Sequence, residues 1–386
     1  MSDLSSHRPC RILSVFGTRP EAIKMAPLVN ALARHPSFDA KVCVTAQHRE
    51  MLDQVLDLFG IRPDIDLNLM RANQTLTDIT VGVLTGMQRV LLEWQPDMVL
   101  VHGDTTTTLA TSLACYYNKI PVGHVEAGLR TYDCWNPYPE ELNRIVSDSV
   151  STLHFAPTPT AQENLIRLGV QPERITVTGN TVIDALFYTL AHTKAPRHQR
   201  TLVGDAPYWL VTLHRRENFG ERLTTICHAL LELLMKYPDR HLVLPVHPNP
   251  QVKTTVEAIL GHPSLPIAAR IHLLAPQDYA PFCHWMKHAE LILTDSGGVQ
   301  EEAPSLGKPV LVFRDETERP EAVTMGTVKL VGADQHCIHE VVSTLLDTPE
   351  RYQAMAQAVN PYGTGHAVPM ILETMLTWWQ AQPIAT

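Results

Sequence analysis

Short apolar runs alternate with longer helical patterns along most of the chain. A strand buried on both faces reads as a continuous apolar run, and parallel strands need long, usually helical, connections. The alternation therefore predicts an α/β fold with two Rossmann-like, doubly wound parallel-sheet domains. The runs are RILSVF, KVCVTA, DMVLVH, PVGHVEA, TLHFAP and ITVTG in the first half, and YWLVTLH, HLVLPVH, IHLLA, LILTDS, PVLVF and VKLVG in the second.

A polar stretch at residues 191–207 separates the two series of runs, and it contains two prolines and no apolar periodicity. We place an N-terminal domain at residues 1–185 and a C-terminal domain at residues 186–366. The last helical pattern, at 370–380, carries one apolar stripe. We expect the segment 367–386 to pack back on the N-terminal domain, and the two domains to face each other across a cleft.

Glycines and short polar residues collect where the apolar runs end. The loops at these points are GTRPEAIK, QHRE, GDTTTT, GLRTYD, RRENFG, PNP, PQDYAPF, SGGVQEE and RDETERPE. Doubly wound sheets bind ligands outside the carboxyl ends of their strands. The loops therefore predict a ligand site at the cleft.

The first of these loops combines a helix start with two cations. Thr18 and Glu21 have the spacing of a capping box, and Pro20 suits the first turn of a helix. Arg19 and Lys24 have no such explanation, because cations near a helix N-terminus oppose its dipole. We interpret these two as candidate anion-binding side chains.

A second candidate anion site is the turn formed by Ser296, Gly297 and Gly298 between a run and a helical pattern. Glycines let backbone amides approach a ligand, and a helix N-terminus favours phosphate. The alternative is a simple tight turn. The pattern is neither GxxxxGK[ST] nor GxGxxG, so it supports neither a P-loop nor a dinucleotide site. We place Glu301 and Glu302 in the first turn of that helix.

Three loops of the first half bring carboxylates to one edge of the predicted sheet. Asp104 follows a run, where it could simply cap the next helix. Glu126 lies inside an apolar strand end, where an unpaired charge is costly, so it is either ion-paired or functional. A helix predicted to start at Pro139 has Glu140 and Glu141 in its first turn, and one of the two could serve only the helix dipole.

Histidines and arginines follow several runs, most of them in the second half. The arginines could supply positive charge to a phosphate, whereas a histidine after a buried strand could simply bond to nearby backbone. No metal-ligand spacing such as HExxH occurs. Of the 19 histidines, we single out those that end strands toward the cleft. The residues in question are His48, His214, Arg215, Arg216, His247, Arg314 and Arg319.

The composition narrows the class of protein. The chain has 386 residues, Lys+Arg 31 against Asp+Glu 40 and a net charge of -9, which disfavours a nucleic-acid partner. Its seven cysteines form no CxxC pair, and no apolar run approaches the ~20 residues of a membrane span. We therefore expect a cytoplasmic protein with no membrane partner.

Seven motifs together resemble the bacterial non-hydrolysing UDP-N-acetylglucosamine 2-epimerases. The motifs are collinear from about Arg11 to Ala367. The resemblance implies a glycosyltransferase-B type fold with UDP in the interdomain cleft, no cofactor or metal, and a homodimer. It also implies reversible epimerisation to UDP-N-acetylmannosamine for cell-envelope polysaccharides. The motifs are FGTRPEAIKMAPLV, VHGDTTTTLA, GHVEAGLRT, PEELNR, VTGNTVIDAL, LHRREN and TDSGGVQEEAPSLGKPVLVFRDETERPEAV.

The resemblance implies roles for individual residues. The catalytic positions are Asp104, Glu126, Glu140 and His214. The substrate-binding positions are Arg19 and Lys24 for the pyrophosphate or sugar, Gln277 and Phe282 for uracil, Ser296, Gly297 and Gly298 for the diphosphate, Glu302 for the ribose, and Arg319 near the phosphates. A second, activating UDP-sugar would bind at Gln47, Gln74, Arg216 and His247.

The chemistry of carbon 2 explains why the reaction needs several carboxylates. Its proton becomes acidic once the anomeric C–O bond breaks, so UDP elimination gives 2-acetamidoglucal, and re-addition gives the epimer. Acid/base groups must then serve both faces of carbon 2. The alternatives are a hydrolysing epimerase, a glycosyltransferase of the same fold, a non-catalytic UDP-sugar sensor, and an epimerase for a modified sugar such as a diacetamido uronic acid.

Overall fold

The chain forms two compact units. The computed structural model describes residues 8–45, 49–71, 73–262, 264 and 266–383. Among these, unit 1 takes its residues from Met1–Tyr188 and Tyr362–Thr386, and unit 2 takes its residues from Thr189–Pro361. The chain therefore starts unit 1, forms unit 2 and returns to unit 1.

Unit 1 is built on a parallel sheet. Its described residues form seven strands in the order β3-β2-β1-β4-β5-β6-β7. The central strand β4 is buried along its whole length, as expected for a strand covered on both faces. The strands are β1 (Cys10–Phe16), β2 (Phe38–Val44), β3 (Ile65–Asp66), β4 (Met98–His102), β5 (Val122–Val125), β6 (Leu153–Ala156) and β7 (Ile175–Val177).

Helices connect and cover these strands, which is the arrangement that right-handed parallel crossovers produce. In chain order they are α1 (Arg19–Arg34), α2 (Arg49–Phe59), α3 (Leu76–Trp94), α4 (Thr106–Tyr117), α5 (Glu140–Val150), α6 (Pro159–Arg167) and α7 (Thr181–His192). One core cluster packs α3 and α4 on the sheet, with Met87, Leu91 and Ala114 against Val99 and Val101.

Unit 2 repeats the plan with a parallel sheet of six strands among its described residues, in the order β10-β9-β8-β11-β12-β13. The strands are β8 (Tyr208–Thr212), β9 (His241–Pro245), β10 (Ile271–Leu274), β11 (Leu291–Thr294), β12 (Val310–Val312) and β13 (Val328–Leu330). The helices are α8 (Arg197–Val203), α9 (Glu221–Lys236), α10 (Pro250–Ile259), α11 (Tyr279–His288), α12 (Gly297–Glu302), α13 (Pro320–Thr324), α14 (Gln335–Asp347) and α15 (Pro349–Ala356).

The chain closes with α16 (Ala367–Gln380), which belongs to unit 1. This helix contacts α1 and β7, and its buried side chains include Ile371 and Met375. The Asp184 carboxylate of α7 accepts hydrogen bonds from the Ala367 and Val368 amides at 3.2 and 3.1 Å, which holds the start of α16.

The strand orders bring particular loops together. In unit 1 the order reverses beside β1, and the loops after β1, β4 and β5 are neighbours; we call them the unit 1 edge. In unit 2 the order reverses beside β8, and the loops after β8, β11 and β12 form the unit 2 edge. Such reversal points are where doubly wound sheets bind ligands.

The two parallel sheets confirm the predicted α/β class with doubly wound domains. All twelve predicted runs contain strands, whereas the two-residue strand β3 was not predicted. The polar stretch at the predicted boundary contains α8, and the last helix begins at Ala367 rather than at residue 370. No helix in the described part of the chain has the length and hydropathy that a membrane span requires.

Candidate active site

Glu126 lies just after β5 at the unit 1 edge, where its backbone has a φ of 63°, in the left-handed region. Its carboxylate is buried and forms an ion pair with Lys24 of α1. Asn180 Nδ2 donates to the same oxygen, Oε2, at 2.6 Å. Burial would raise the pKa of Glu126, but the Lys24 ammonium outweighs it and the pKa is lowered to about 2. Glu126 is therefore ionised at neutral pH.

A buried histidine lies beside this ion pair. His102, the last residue of β4, places Nε2 3.8 Å from Glu126 Oε2. Neither ring nitrogen has a hydrogen-bond partner among the described residues. Burial lowers the pKa of His102 to about 3, so the imidazole is neutral. Sequence analysis missed this residue, although a histidine at the end of a fully buried strand was a usable signal.

Asp104 follows β4 and is held by α5. Its Oδ2 accepts hydrogen bonds from Arg144 Nε at 3.0 Å and Arg144 Nη2 at 2.6 Å. Its main-chain carbonyl accepts a bond from Asn143 Nδ2 at 2.8 Å. The helix α4 is capped by Thr105, so the alternative in which Asp104 caps the helix is wrong. The Asp104 carboxylate is a paired, partly exposed group at the edge.

The turn after β1 is fixed by a buried carboxylate. Glu21 Oε2 accepts from the Gly17 and Thr18 amides at 3.1 and 2.8 Å, and Oε1 accepts from Thr105 Oγ1 at 2.7 Å. Burial raises the pKa of Glu21 despite these bonds. A Cβ on Gly17 would stand 2.1 Å from Thr45 Oγ1, so this position requires glycine. Glu21 thus caps α1, as predicted, and also ties it to the start of α4.

Two predicted residues begin helices at the unit 1 edge. Arg19 is the first residue of α1 and Glu140 the first of α5, and both are half-buried. Glu141 is fully buried and accepts bonds from the Thr131 and Tyr132 amides, each at 3.0 Å. Glu141 therefore has a structural role, which leaves Glu140 as the candidate for chemistry.

The unit 2 edge centres on a histidine and a buried aspartate. His214 Nδ1 lies 2.8 Å from Asp295 Oδ1, and the Asp295 carboxylate also accepts from the His214 and Arg215 amides. Burial would raise the pKa of Asp295, but these bonds and the His214 charge lower it. Asp295 orients His214, and sequence analysis did not single it out.

The predicted diphosphate turn comes directly after Asp295. Ser296 is the N-cap of α12, and Gly297 and Gly298 are its first residues, as predicted. Glu301 is the fifth of the six residues of α12, and its Oε1 accepts a hydrogen bond from Arg319 Nε at 2.6 Å. The placement of Glu301 and Glu302 in the first turn is wrong, because they are the last two residues of α12.

Glu302 and the predicted uracil loop meet at α11. Tyr279 at the start of α11 donates its hydroxyl to Glu302 Oε1 at 2.7 Å. Gln277 lies in the preceding loop, with Nε2 donating to the Ala275 carbonyl at 2.8 Å. Phe282 is half-buried in the first turn of α11. The structure thus brings α11 next to the end of α12.

The four residues predicted for an activator site fall in different places. Gln47 lies outside the described residues, as does His48. Gln74 borders a cavity of about 790 Å³ in unit 1 and donates to the Leu69 carbonyl at 2.7 Å. In unit 2, Arg216 is exposed, and the His247 ring centroid lies 6.1 Å from that of His214.

The described residues include no group of three or more His, Cys, Asp or Glu side chains placed to hold a metal ion. The ionisable groups at both edges instead pair with one another. In unit 1 the pairs are Lys24 with Glu126 and Arg144 with Asp104. In unit 2 they are His214 with Asp295 and Arg319 with Glu301.

Two doubly wound domains with acid/base side chains at the carboxyl ends of their strands define a ligand-binding α/β enzyme. Comparison with known proteins identifies the family. The sequence model of a family described as UDP-N-acetylglucosamine 2-epimerase matches residues 30–376. The chain therefore belongs to the UDP-N-acetylglucosamine 2-epimerase family, and the resemblance drawn from its motifs is confirmed.

Individual relatives agree along nearly the whole chain. The chain is 56% identical over 373 residues to UDP-N-acetylglucosamine 2-epimerase of Escherichia coli K12, covering 95% of this chain and 98% of the relative. A solved structure of the Neisseria meningitidis UDP-GlcNAc 2-epimerase bound to UDP-GlcNAc is 50% identical, with a TM-score of 0.84 and coverage of 95% and 100%. The Methanocaldococcus jannaschii enzyme in complex with UDP-GlcNAc and UDP is 35% identical, with a TM-score of 0.76 and coverage of 95% and 99%.

Proposed function

We propose that this protein is an isomerase that interconverts UDP-N-acetylglucosamine and UDP-N-acetylmannosamine without hydrolysis. The observation that carries the proposal is the ionised, buried Glu126 at the unit 1 edge, whose loop neighbours the one that carries paired Asp104. The family and the UDP-GlcNAc named in a relative's structure support the choice of substrate. The products would serve cell-envelope polysaccharides.

The unit 2 edge would hold the nucleotide. In this proposal the amides around Ser296, Gly297 and Gly298 and the Arg319 guanidinium bind the diphosphate. Glu302 accepts hydrogen bonds from the ribose hydroxyls. Gln277 and Phe282 contact the uracil. His214, oriented by Asp295, contacts the diphosphate or the leaving oxygen. Donors of this kind stabilise the UDP leaving group.

The unit 1 edge would perform the proton transfers. Loss of UDP gives the anomeric carbon cationic character, which acidifies the carbon 2 proton and gives 2-acetamidoglucal. Glu126, Asp104 and Glu140 then serve the two faces of carbon 2 as acid and base. An anionic substrate group beside Arg19 and Lys24 would weaken the hold of Lys24 on Glu126. The pKa of Glu126 would rise as a result, which makes it a stronger base.

Incubation with UDP-N-acetylglucosamine in deuterium oxide, followed by proton NMR, tests the proposal. We expect UDP-N-acetylmannosamine with deuterium at carbon 2, and slow release of UDP and the glycal. Retention of the substrate hydrogen in the product would contradict the elimination mechanism. Free N-acetylmannosamine would identify a hydrolysing enzyme, turnover only with an added acceptor a glycosyltransferase, and binding without turnover a sensor. A diacetamido uronic acid substrate, run in parallel, tests the modified-sugar alternative.

The remaining assignments are predictions with separate tests. We propose a homodimer, which sedimentation measures, and a second UDP-sugar site that includes Gln74, which an activation curve measures. The cytoplasmic location is a prediction from the sequence, and fractionation of cells tests it.

A further inference from the structure

A buried histidine, His124, lies in strand β5 just before the unit 1 edge. The His124 ring, in β5, is 1% exposed. Its Nδ1 lies 2.5 Å from Asp148 Oδ1, and its Nε2 lies 2.7 Å from the Gly103 carbonyl oxygen. A carbonyl only accepts hydrogen bonds, so Nε2 carries a proton. Burial would lower the pKa of His124, but the Asp148 carboxylate outweighs it and the pKa is raised. Burial would raise the pKa of Asp148, but the nearby charges of His124 and Arg130 lower it to about 2. The ionised carboxylate only accepts hydrogen bonds, so Nδ1 carries a proton as well.

Asp148 of α5 anchors this histidine and the loop that follows it. Its Oδ2 accepts hydrogen bonds from Arg130 Nη2 at 2.6 Å and from the Gly128 amide at 3.2 Å. Asp148 thus holds the chain on both sides of Glu126, at His124 before it and at Gly128 after it. The His124, Asp148 and Arg130 side chains are all buried, and hydrogen bonds are electrostatically stronger in such surroundings than in water.

The second hydrogen bond of the His124 ring is to the Gly103 carbonyl, in the turn after β4. Gly103 has a φ of 66° and directly precedes Asp104. Its amide donates to the Val125 carbonyl at 2.9 Å, directly before Glu126. A Cβ on Gly103 would lie 3.6 Å from Glu126 Oε1. The turn that carries Asp104 and the turn that carries Glu126 are therefore held together at Gly103.

We propose that His124 is a positioning residue: its Nε2–H group holds the Gly103 carbonyl and thereby fixes Asp104 and Glu126 for proton transfer at carbon 2. The inference rests on the proposed function for the reaction, although the geometry belongs to the protein alone. Glu126 has a left-handed backbone that a non-glycine residue adopts only under constraint. The hydrogen bonds through His124 and Asp148 supply that constraint.

A neighbouring histidine provides a matched control. His154 of β6 is the register partner of His124, and it is also 1% exposed. Its Nε2 bonds to the main-chain carbonyl of Asp148 at 2.8 Å, so it contacts the same anchor from the next strand. Substitution of His154 therefore disturbs a buried histidine of the same sheet without touching the bond to Gly103.

Two substitutions separate the two bonds of His124. The amide nitrogen of Asn stands near the position of Nδ1, so His124→Asn keeps the bond to Asp148 and loses the bond to Gly103. The amide of Gln reaches the position of Nε2, so His124→Gln keeps the bond to Gly103. We expect kcat to fall ~100-fold in His124→Asn with KM changed less than ~3-fold, because misplacement by about 1 Å can cost this much. His124→Gln and His154→Asn should keep kcat within ~5-fold.

Thermal midpoints and crystal structures of the same variants complete the test. Equal losses of kcat in His124→Asn and His124→Gln, or in His124→Asn and His154→Asn, would overturn the proposal, as would a rise in KM alone. If His124→Asn fails to fold, a low kcat in folded His124→Gln is the overturning result. Wild-type protein that leaves carbon 2 untouched refutes the proposed function instead. In that case a shifted Gly103 turn in crystalline His124→Asn supports the positioning role, and an unshifted turn overturns it.

Discussion

The carboxyl edges of the two sheets share one topology but differ in chemistry. The unit 1 edge concentrates buried ionisable side chains, with Glu126 and Asp148 ionised and His102 neutral at pH 7. The unit 2 edge combines the glycine turn at the start of α12 with hydrogen-bond donors, namely His214 oriented by Asp295 and Arg319 held by Glu301. Duplicated folds therefore do not imply duplicated roles, because function depends on the side chains at each edge.

This difference divides the proposed reaction into two tasks. Proton transfer needs carboxylates whose pKa values are set by burial and by nearby charges, and unit 1 supplies these. Holding a diphosphate needs donors that do not change protonation, and unit 2 supplies these. Substitutions of carboxylates at the unit 1 edge should therefore lower kcat, whereas substitutions in the glycine turn of the unit 2 edge should mainly weaken UDP binding.

The largest effect is expected for Glu126→Gln. It removes a candidate base while an amide oxygen can still accept from Lys24, so we expect kcat to fall by roughly 10²–10⁴-fold. UDP affinity, measured by calorimetry, should stay within ~3-fold of wild type. The control is Glu163→Gln on α6, an exposed carboxylate that lies 3.8 Å from Arg167. Wild-type turnover in Glu126→Gln would remove this residue from the catalytic set.

Gly297→Ala tests the opposite edge. An added Cβ would stand 2.6 Å from Arg319 Nη1, and the Arg319 guanidinium is held in place by Glu301. We expect UDP to bind ~10-fold more weakly, about 1.4 kcal/mol, with kcat at saturation changed less than ~3-fold. Gly298→Ala should cost less affinity, because its Cβ meets only Glu302 Oε2 at 3.7 Å. A fall in kcat without a loss of affinity would contradict the assignment of UDP binding to the unit 2 edge and of proton transfer to the unit 1 edge.

Stability against acid should depend on His102 in unit 1. The unfolded imidazole binds a proton near pH 6.5, but burial lowers the pKa of the folded one to about 3. The neutral His102 therefore stabilises the folded state fully above pH 6.5. This stabilisation is lost as the pH falls from 6.5 toward 3, because only the unfolded chain binds the proton in that range. Each proton changes the free energy of unfolding by ~1.4 kcal/mol per pH unit. Denaturation of His102→Asn between pH 4 and 6.5 should show a shallower slope.

The control for this slope is His336→Asn, which replaces an exposed histidine on α14 of unit 2. It should leave the pH dependence as in wild type. An unchanged slope in His102→Asn would mean that the folded imidazole has the same pKa as the unfolded one. The conclusion that burial lowers the pKa of His102 would then be wrong.

The smallest expected effect is the difference in stability between the losses of two helix caps. Thr105→Ala removes the cap of α4 and also the donor to buried Glu21. Asn249→Ala removes the cap of α10 in unit 2, where Oδ1 accepts from the Gln251 amide at 2.9 Å. We expect losses of about 2 kcal/mol and about 1 kcal/mol in chemical denaturation. Equal losses would show that the bond to Glu21 adds nothing.

Much of the fold could be predicted because strands covered on both faces leave an unbroken apolar signal. The short edge strand β3 leaves no such signal, and α8 lies in a polar stretch where only Gln199 and Val203 are buried. The loops of the site could also be predicted, since strand ends fix which residues reach an edge. Motifs then gave the family, which the comparisons confirm.

The pairing of charges could not be predicted from one sequence. Arg144 follows Asp104 by 40 positions, and Asp148 follows His124 by 24, so spacing does not reveal either pair. The division of roles between Glu140 and Glu141 depends on the rotation of α5, which turns Glu141 inward. A shift of one residue in the helix start would reverse that division.

The return of the chain to unit 1 has a consequence for synthesis on the ribosome. The main-chain amide of Asn180 donates a hydrogen bond to the Tyr362 carbonyl at 2.8 Å, and Thr176 Oγ1 lies 3.2 Å from Thr374 Oγ1. These contacts join residues made almost two hundred positions apart. Unit 1 therefore emerges first but can be completed only after all of unit 2 has been translated. A nascent chain stalled within unit 2 would expose the apolar surface that Ile371 and Met375 later cover, and would depend on chaperones there.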